Sequence, residues 1–102
     1  MIKLTVLYNF PGAEVVDAFR EHYLNVHDPL VRALPNLERF DVAFTTPGQD
    51  GAPAPYFLIA ELYFKDFDAM AAAMASAEGQ AVAADNPNVL PYVATAFASV
   101  LV

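Results

Sequence analysis

The sequence predicts an α+β domain in which a four-stranded antiparallel sheet carries two helical layers on one face. Three observations predict it. Apolar residues alternate with period two in four short stretches and recur at helical spacing in two longer ones. These segments run in the order strand, helix, strand, strand, helix, strand. Chain breakers fall between them, at Pro11-Gly12, Pro35-Asn36 and the Pro47 to Pro55 run. The chain has 102 residues, no internal repeat and no linker, so residues 1–102 are expected to form a single domain.

Each element has its own signature. In IKLTVLYN, Ile2, Leu4, Val6 and Tyr8 alternate with Lys3, Thr5, Leu7 and Asn9, which is strand periodicity. From Ala13 onward, Val15, Val16, Phe19, Tyr23, Val26 and Leu30 recur at helical spacing, while Glu14, Asp17, Arg20 and Glu21 fall elsewhere, so one face is expected to be buried. Pro29 disfavours helical geometry at Asp28 and removes a backbone donor, so this helix is expected to stop or kink near His27, with a short turn of helix following to Leu34. LERFDVAFTT is the second strand and YFLIAELYF the third, joined by the breaker-rich PGQDGAPAP loop. Asp66 is a predicted N-cap for a helix over Phe67, Met70, Met74 and Ala77, with Gly79 marking a break before a second helical piece at Gln80 to Ala84. Met70 and Met74 read as helix core. After the turn-rich DNPNVLPY, the segment ATAFASVLV is the fourth strand. This βαββαβ order is that of ferredoxin-like domains, whose second sheet face is bare. Here the third strand is apolar on both sides, interrupted only by Glu61, so a second copy covering the open face is expected.

Composition excludes several functions. The net charge is −7 with only five Lys and Arg, leaving no basic run to neutralise phosphates, so neither nucleic acid nor an anionic membrane is an expected partner. There is no cysteine, which removes disulfides, thiolate catalysis and thiolate metal sites. No run reaches the ~18 residues needed to cross a bilayer and no signal-like block opens the chain, so a cytoplasmic location is expected. The 57% hydrophobic content is high for a domain that would bury only ~60–65% of its unfolded surface alone. That again points to a homodimer.

With Tyr23-x-x-x-His27-x-Pro29-Leu30 after the first strand and Pro35 beyond it, the chain resembles the EthD-like family of dimeric α+β barrels. The resemblance implies two ferredoxin-like subunits whose sheets face each other and enclose an apolar pocket, without a tightly bound cofactor. Relatives of this kind include isomerases, cyclases, dehydratases and decarboxylases acting on aromatic or polyketide-like molecules, alongside members with no known activity. It therefore implies architecture more firmly than reaction.

The residues that could carry chemistry cluster at the end of the first helix. Tyr23 and His27 lie four apart on one helical face, and a phenol beside an imidazole could orient a substrate and move a proton. Asp28 could orient His27, or could simply start an Asp-Pro turn. His27 is expected at the barrel mouth, in a cleft opened by a break at Asp28-Pro29. His22, beside Glu21, is expected to face solvent. Glu61, with Lys3, Arg39 and Asp41 as possible partners, is either an acid/base group or one end of a structural ion pair. Tyr8, Phe19, Leu30 and Tyr63 are candidates to contact substrate, and Asn9 and Ser99 could join them. Two histidines five apart do not share a helical face, and no clustered carboxylate triad accompanies them, so no metal site is predicted. The expected function is a cofactor-independent isomerase, lyase or cyclase that shuttles a proton on a small hydrophobic carbonyl, lactone or aromatic compound. The alternatives are a non-catalytic dimeric barrel that binds an apolar ligand and a monooxygenase, cofactor-free or using haem through His27.

Overall fold

The computed structural model describes all 102 residues. The alternating segments pair as β1 (Ile2–Tyr8), β2 (Arg39–Phe44), β3 (Leu58–Phe64) and β4 (Val93–Val100), antiparallel and in the order β2-β3-β1-β4. Register decides which side chains share a face. Leu4 stands opposite Leu62, and Val6 opposite Ala60, while Val42 also meets Ala60, so these point to the helices. One residue along, Thr5 and Asp41 flank Glu61, and Lys3 and Arg39 flank Tyr63, on the bare side. That bare side is more polar than the sequence pattern implies, because Lys3 is paired with Glu61 and Arg39 with Asp41 among Leu7, Ile59 and Phe97. A left-handed Asn36 (φ 64°) turns the chain before β2, a conformation Asn tolerates better than most residues.

The first helical layer is continuous, contrary to the expected break. Helix α1 (Val16–His22) passes into a π-helical turn (Tyr23–His27) and then into α2 (Asp28–Arg32), with helical dihedrals at both His27 and Asp28. The Asp28 N–H donates to the Tyr23 carbonyl five residues back. Pro29 has no N–H to give to the carbonyl of residue 25, and the wide turn absorbs that discontinuity, leaving Pro29 in the first turn of α2 where its missing donor is tolerated. The wide turn also resets which residues face inward. Regular spacing places Val26 and Leu30 in the core, but Val26 is 41% exposed and Leu30 only half-buried. The buried row is instead Phe19, Tyr23, His27, Val31 and Leu34.

In the second layer, Asp66 caps α3 (Phe67–Ala75) as predicted, its Oδ1 accepting from the Ala69 N–H at 2.8 Å. The break falls at Ser76 rather than at Gly79. Ser76 is extended, and its Oγ accepts from the Gly79 N–H at 3.0 Å to start α4 (Ala77–Asp85). Gly79 lies inside the first turn of α4, where a Cβ would collide with the carbonyls of Ala73 and Met74. Two 3₁₀ turns (Asn86–Asn88 and Leu90–Tyr92) then lead into β4. The core lies between sheet and helices, around Tyr23, Leu58, Phe64 and Val89. No helix is long and apolar enough to cross a membrane.

Candidate active site

Between the inner face of the sheet and the helices lies a cavity of about 260 Å³, lined by 16 residues of which 14 are hydrophobic. It sits just below the ~300–1,000 Å³ typical of drug-sized ligand sites, so it suits a small molecule. The cavity lies within one chain, on the helix side of the sheet, whereas the pocket implied by the resemblance lies between the facing sheets of two chains. Val6, Ala60 and Leu62 floor it, Val31 and Leu34 wall it, and Met74 and Leu90, both substantially exposed, stand at its rim. Met74, expected in the helix core, is therefore a rim residue. Polar chemistry enters the lining through Tyr8, Tyr23, His27 and Asn86.

His27 is 5% exposed, so it is a buried residue facing a cavity rather than one in an open cleft. Its Nδ1 lies 2.8 Å from Oδ2 of Asp85, the last residue of α4. The same carboxylate receives His22, whose Nε2 is 2.8 Å from Oδ1 and 3.0 Å from Oδ2, and the Asn88 amide, which donates to Oδ1 at 2.9 Å. His22 is thus not simply solvent-facing; its side chain keeps 29% exposure, with one ring nitrogen spent on Asp85. Two residues five apart meet one carboxylate because the π turn lies between them and widens the helix there. Desolvation opposes the charge on Asp85, but the hydrogen bonds from Asn88, His27 and His22 outweigh it and hold the carboxyl below its usual range.

This has a chemical consequence. A carboxylate only accepts, so the His27 nitrogen facing it carries the proton, and in the neutral ring Nε2 keeps the lone pair. Nε2 makes no hydrogen bond to protein, yet no sealed side-chain nitrogen or oxygen lacks a partner, so Nε2 opens onto the cavity. Tyr23 packs against the His27 ring at 5.2 Å between centroids and meets Tyr8 edge-on at 5.5 Å. Burial pushes the Tyr23 phenol well above its ordinary range, and the Tyr8 hydroxyl raises it further. Burial also raises Tyr8, with the adjacent Tyr23 phenol working against that rise. Both phenols are therefore protonated donors at neutral pH.

The other sequence candidates lie elsewhere. Asp28 pairs with Arg32, at 2.7 Å, and not with His27; one turn of α2 brings these two together. Phe19 is buried outside the cavity lining, tilted against Tyr92 at 4.6 Å between ring centroids. Leu30 was rotated off the lining by the π turn, and Val31 and Leu34 take its place. Glu61 and Tyr63 are on the bare sheet face, Glu61 held by Lys3 at 2.7 Å and Tyr63 between Lys3 and Arg39, so neither reaches the cavity. Ser99 faces the same bare side, and Asn9 is outside the lining. Asp85 escaped sequence reasoning. The signal that could have found it is an acid ending an alanine-rich helix, against the helix dipole, in a chain whose two histidines needed a partner.

An antiparallel sheet with helices on one face and a cavity between them defines a ferredoxin-like α+β protein. Residues 14–90 match the family model described as the EthD domain, and the chain belongs to the EthD family. It is 40% identical over 88 residues, 86% of its length and 82% of the relative's, to an uncharacterised 11.0 kDa protein of the thcB-thcC intergenic region of Rhodococcus erythropolis. The crystal structure of an ethyl tert-butyl ether D (EthD) family protein from Bacillus halodurans superposes with a TM-score of 0.86 at 30% identity, covering 100% of this chain and 99% of that one. A dimeric ferredoxin-like protein of unknown function from Thermobifida fusca shares the fold, with a TM-score of 0.68 at 16% identity over 96% of this chain and 86% of that one.

Proposed function

We propose that the protein is a cofactor-independent enzyme that moves a proton on a small, largely apolar carbonyl or lactone compound held in the cavity. One observation carries the reading: His27 presents an unspent Nε2 to an apolar cavity while its Nδ1 is fixed by Asp85. The His27 Nε2 lone pair takes a proton from the carbon next to the carbonyl, and the electron pair left behind moves onto the carbonyl oxygen. A phenol of Tyr8 or Tyr23, protonated and preorganised by burial, donates a hydrogen bond to that oxygen. The imidazolium then returns its proton to the same carbon, which completes an exchange, or, where a C=C bond is conjugated with the enolate, to the far carbon of that dienolate, which shifts the double bond and completes an isomerisation; either return resets the ring. The apolar walls keep water from competing for that proton.

The test needs no knowledge of the product. Protein in deuterated buffer is mixed with a panel of small apolar ketones, lactones and phenolic ketones, and loss of the C–H signal is followed by proton NMR. Exchange above the buffer rate is expected for at least one compound, falling by roughly 10²–10⁴-fold in His27→Asn. Binding without exchange across the panel, or exchange unchanged in His27→Asn, would overturn the enzyme reading and leave a binder of apolar molecules.

The bare sheet face is the place for a second copy. Phe97 is 50% exposed there, and β4 is a sheet edge exposed along most of its length. The dimeric description of the Thermobifida fusca protein supports the same reading. Sedimentation at micromolar concentration should give a dimer, and Phe97→Glu should shift it to monomer without altering the cavity. A wild-type monomer that binds no hydrophobic dye would contradict it.

A further inference from the structure

We infer that His22 is a positioning residue: with Asn88 it clamps Asp85 in the one orientation that fixes the His27 tautomer and so aims the His27 Nε2 lone pair at the cavity. The inference rests on the reading of His27 as the proton-handling group, and it adds a role for a residue that touches neither the cavity nor any ligand in it.

Asp85 is a costly residue to bury as a charge. It is a buried carboxylate at the C-terminal end of α4, where both desolvation and the negative end of the helix dipole disfavour charge. Such a group is held only if donors converge on it. Three do, from three different segments: His22 at the end of α1, His27 in the π turn and Asn88 in the 3₁₀ turn after α4. The two oxygens are used unequally. Oδ1 takes Asn88 and the shorter His22 contact; Oδ2 takes His27 and the longer one. His22 and Asn88 therefore define the plane of the carboxyl group, and what remains of Oδ2 meets the His27 Nδ1.

An asparagine at position 85 could also hydrogen-bond to these partners, but its amide can present either an acceptor or a donor to His27, leaving both tautomers available. An acceptor-only carboxylate presents only one choice, provided it cannot rotate. Removing the His22 donor leaves Oδ1 held by Asn88 alone, so the carboxyl group can turn, and the lock on His27 loosens although His27 and Asp85 are both intact. The imidazole nitrogens point at carboxylate oxygens at hydrogen-bond distance, rather than converging with them on a common point, and no group of three such residues is arranged to hold an ion.

The experiment reads the His27 ring itself. Nitrogen-15 imidazole spectra at neutral pH give the tautomer, and the lifetime of the Nδ1 proton against solvent exchange gives the strength of the lock. In the wild type, His27 should be a single Nδ1–H tautomer with a slowly exchanging proton. His22→Phe should populate both tautomers and shorten the proton lifetime at least tenfold, while His22→Gln, whose amide N–H reaches to where Nε2 stood, should restore most of both. Asn88→Ala should reproduce part of the His22→Phe effect, and it tests the same clamp should His22→Phe fail to fold. Tautomer and lifetime unchanged in His22→Phe, or in Asn88→Ala where that is the folded variant, would overturn the inference. So would a wild-type ring protonated at Nε2. These readouts do not depend on turnover: a lock that responds to His22 in a protein that exchanges no substrate proton sinks the enzyme reading alone, whereas exchange that needs His27 but not a His22-dependent lock sinks this inference alone.

Discussion

The two faces of the sheet carry charge in different ways. On the bare face, Lys3 and Glu61, and Arg39 and Asp41, satisfy each other across partly exposed ion pairs, with Tyr63 between the two cations. On the helix face, one carboxylate gathers three donors and leaves the Nε2 of the buried His27 ring unspent. The first arrangement is closed, because each charge has its partner. The second is open by one hydrogen bond, and it is open towards the cavity. Composition does not separate them, since the bare face has more charged residues than the site does. What separates them is burial together with an unfilled valence, which is why Glu61, the most conspicuous charge in the strands, is not where the chemistry is expected.

Breaking the helix-face cluster should therefore cost far more than breaking the bare-face pairs. Asp85→Ala leaves two imidazoles and an amide without their acceptor and should destabilise the fold by about 3 kcal/mol, read as a lower urea midpoint at an unchanged slope. A loss no larger than that of a surface variant would mean that water replaces the carboxylate freely, and the contrast between the faces would dissolve.

The next effect is in the pH dependence. Burial, and then the neighbouring Tyr8, raise the Tyr23 phenol above its unfolded value of 10.0. The sign follows: the contribution is complete below pH 10.0 and is lost as pH rises above it, because the unfolded chain ionises first. Alkaline unfolding should steepen from about pH 10, and Tyr23→Phe should flatten that limb. Asp85 has the opposite sign. Its carboxyl is lowered from 3.8, so its contribution is complete above that pH and is lost as pH falls below it; Asp85→Asn should flatten the acid limb of the stability curve. Curves that superpose on wild type in either variant would place those groups in ordinary solvent.

Smallest of all should be Lys3→Met, which cuts the Lys3–Glu61 pair at the bare face. In the monomeric Phe97→Glu background it should move the urea midpoint slightly at low salt and not detectably at high salt, since exposed pairs are screened. A salt-independent loss matching that of Asp85→Ala would show that this face too is a buried polar site.

Much of this was legible in the sequence. Period-two alternation placed all four strands, and the order of elements alone gave the sheet, because each inward row, such as Ile2, Leu4, Val6 and Tyr8, had to find a partner layer. The Tyr23-x-x-x-His27 spacing brought those two side chains to one cavity, as four residues do on any helix. What was not legible follows from a hydrogen-bond pattern that periodicity does not encode. A π turn inserts itself without changing a residue, and it moves Leu30 out, Val31 in and His22 onto the same carboxylate as His27. One trace of it is in the sequence: Phe19, Tyr23, His27 and Val31 are spaced by four three times running, more than a regular helix keeps on one face. Asp85 lies 58 residues from His27, and nothing local in DNPN distinguishes a turn aspartate from one that holds a histidine.

The central claim is that small molecules enter on the helix face and not between sheets. Titrating the labelled protein with a small apolar ketone and following its resonances tests this directly. The account predicts shifts concentrated at Tyr8, Tyr23, His27, Val31 and Ala60, with Glu61, Tyr63 and Phe97 unmoved. Saturable shifts at Glu61, Tyr63 and Phe97, with His27 silent, would contradict it.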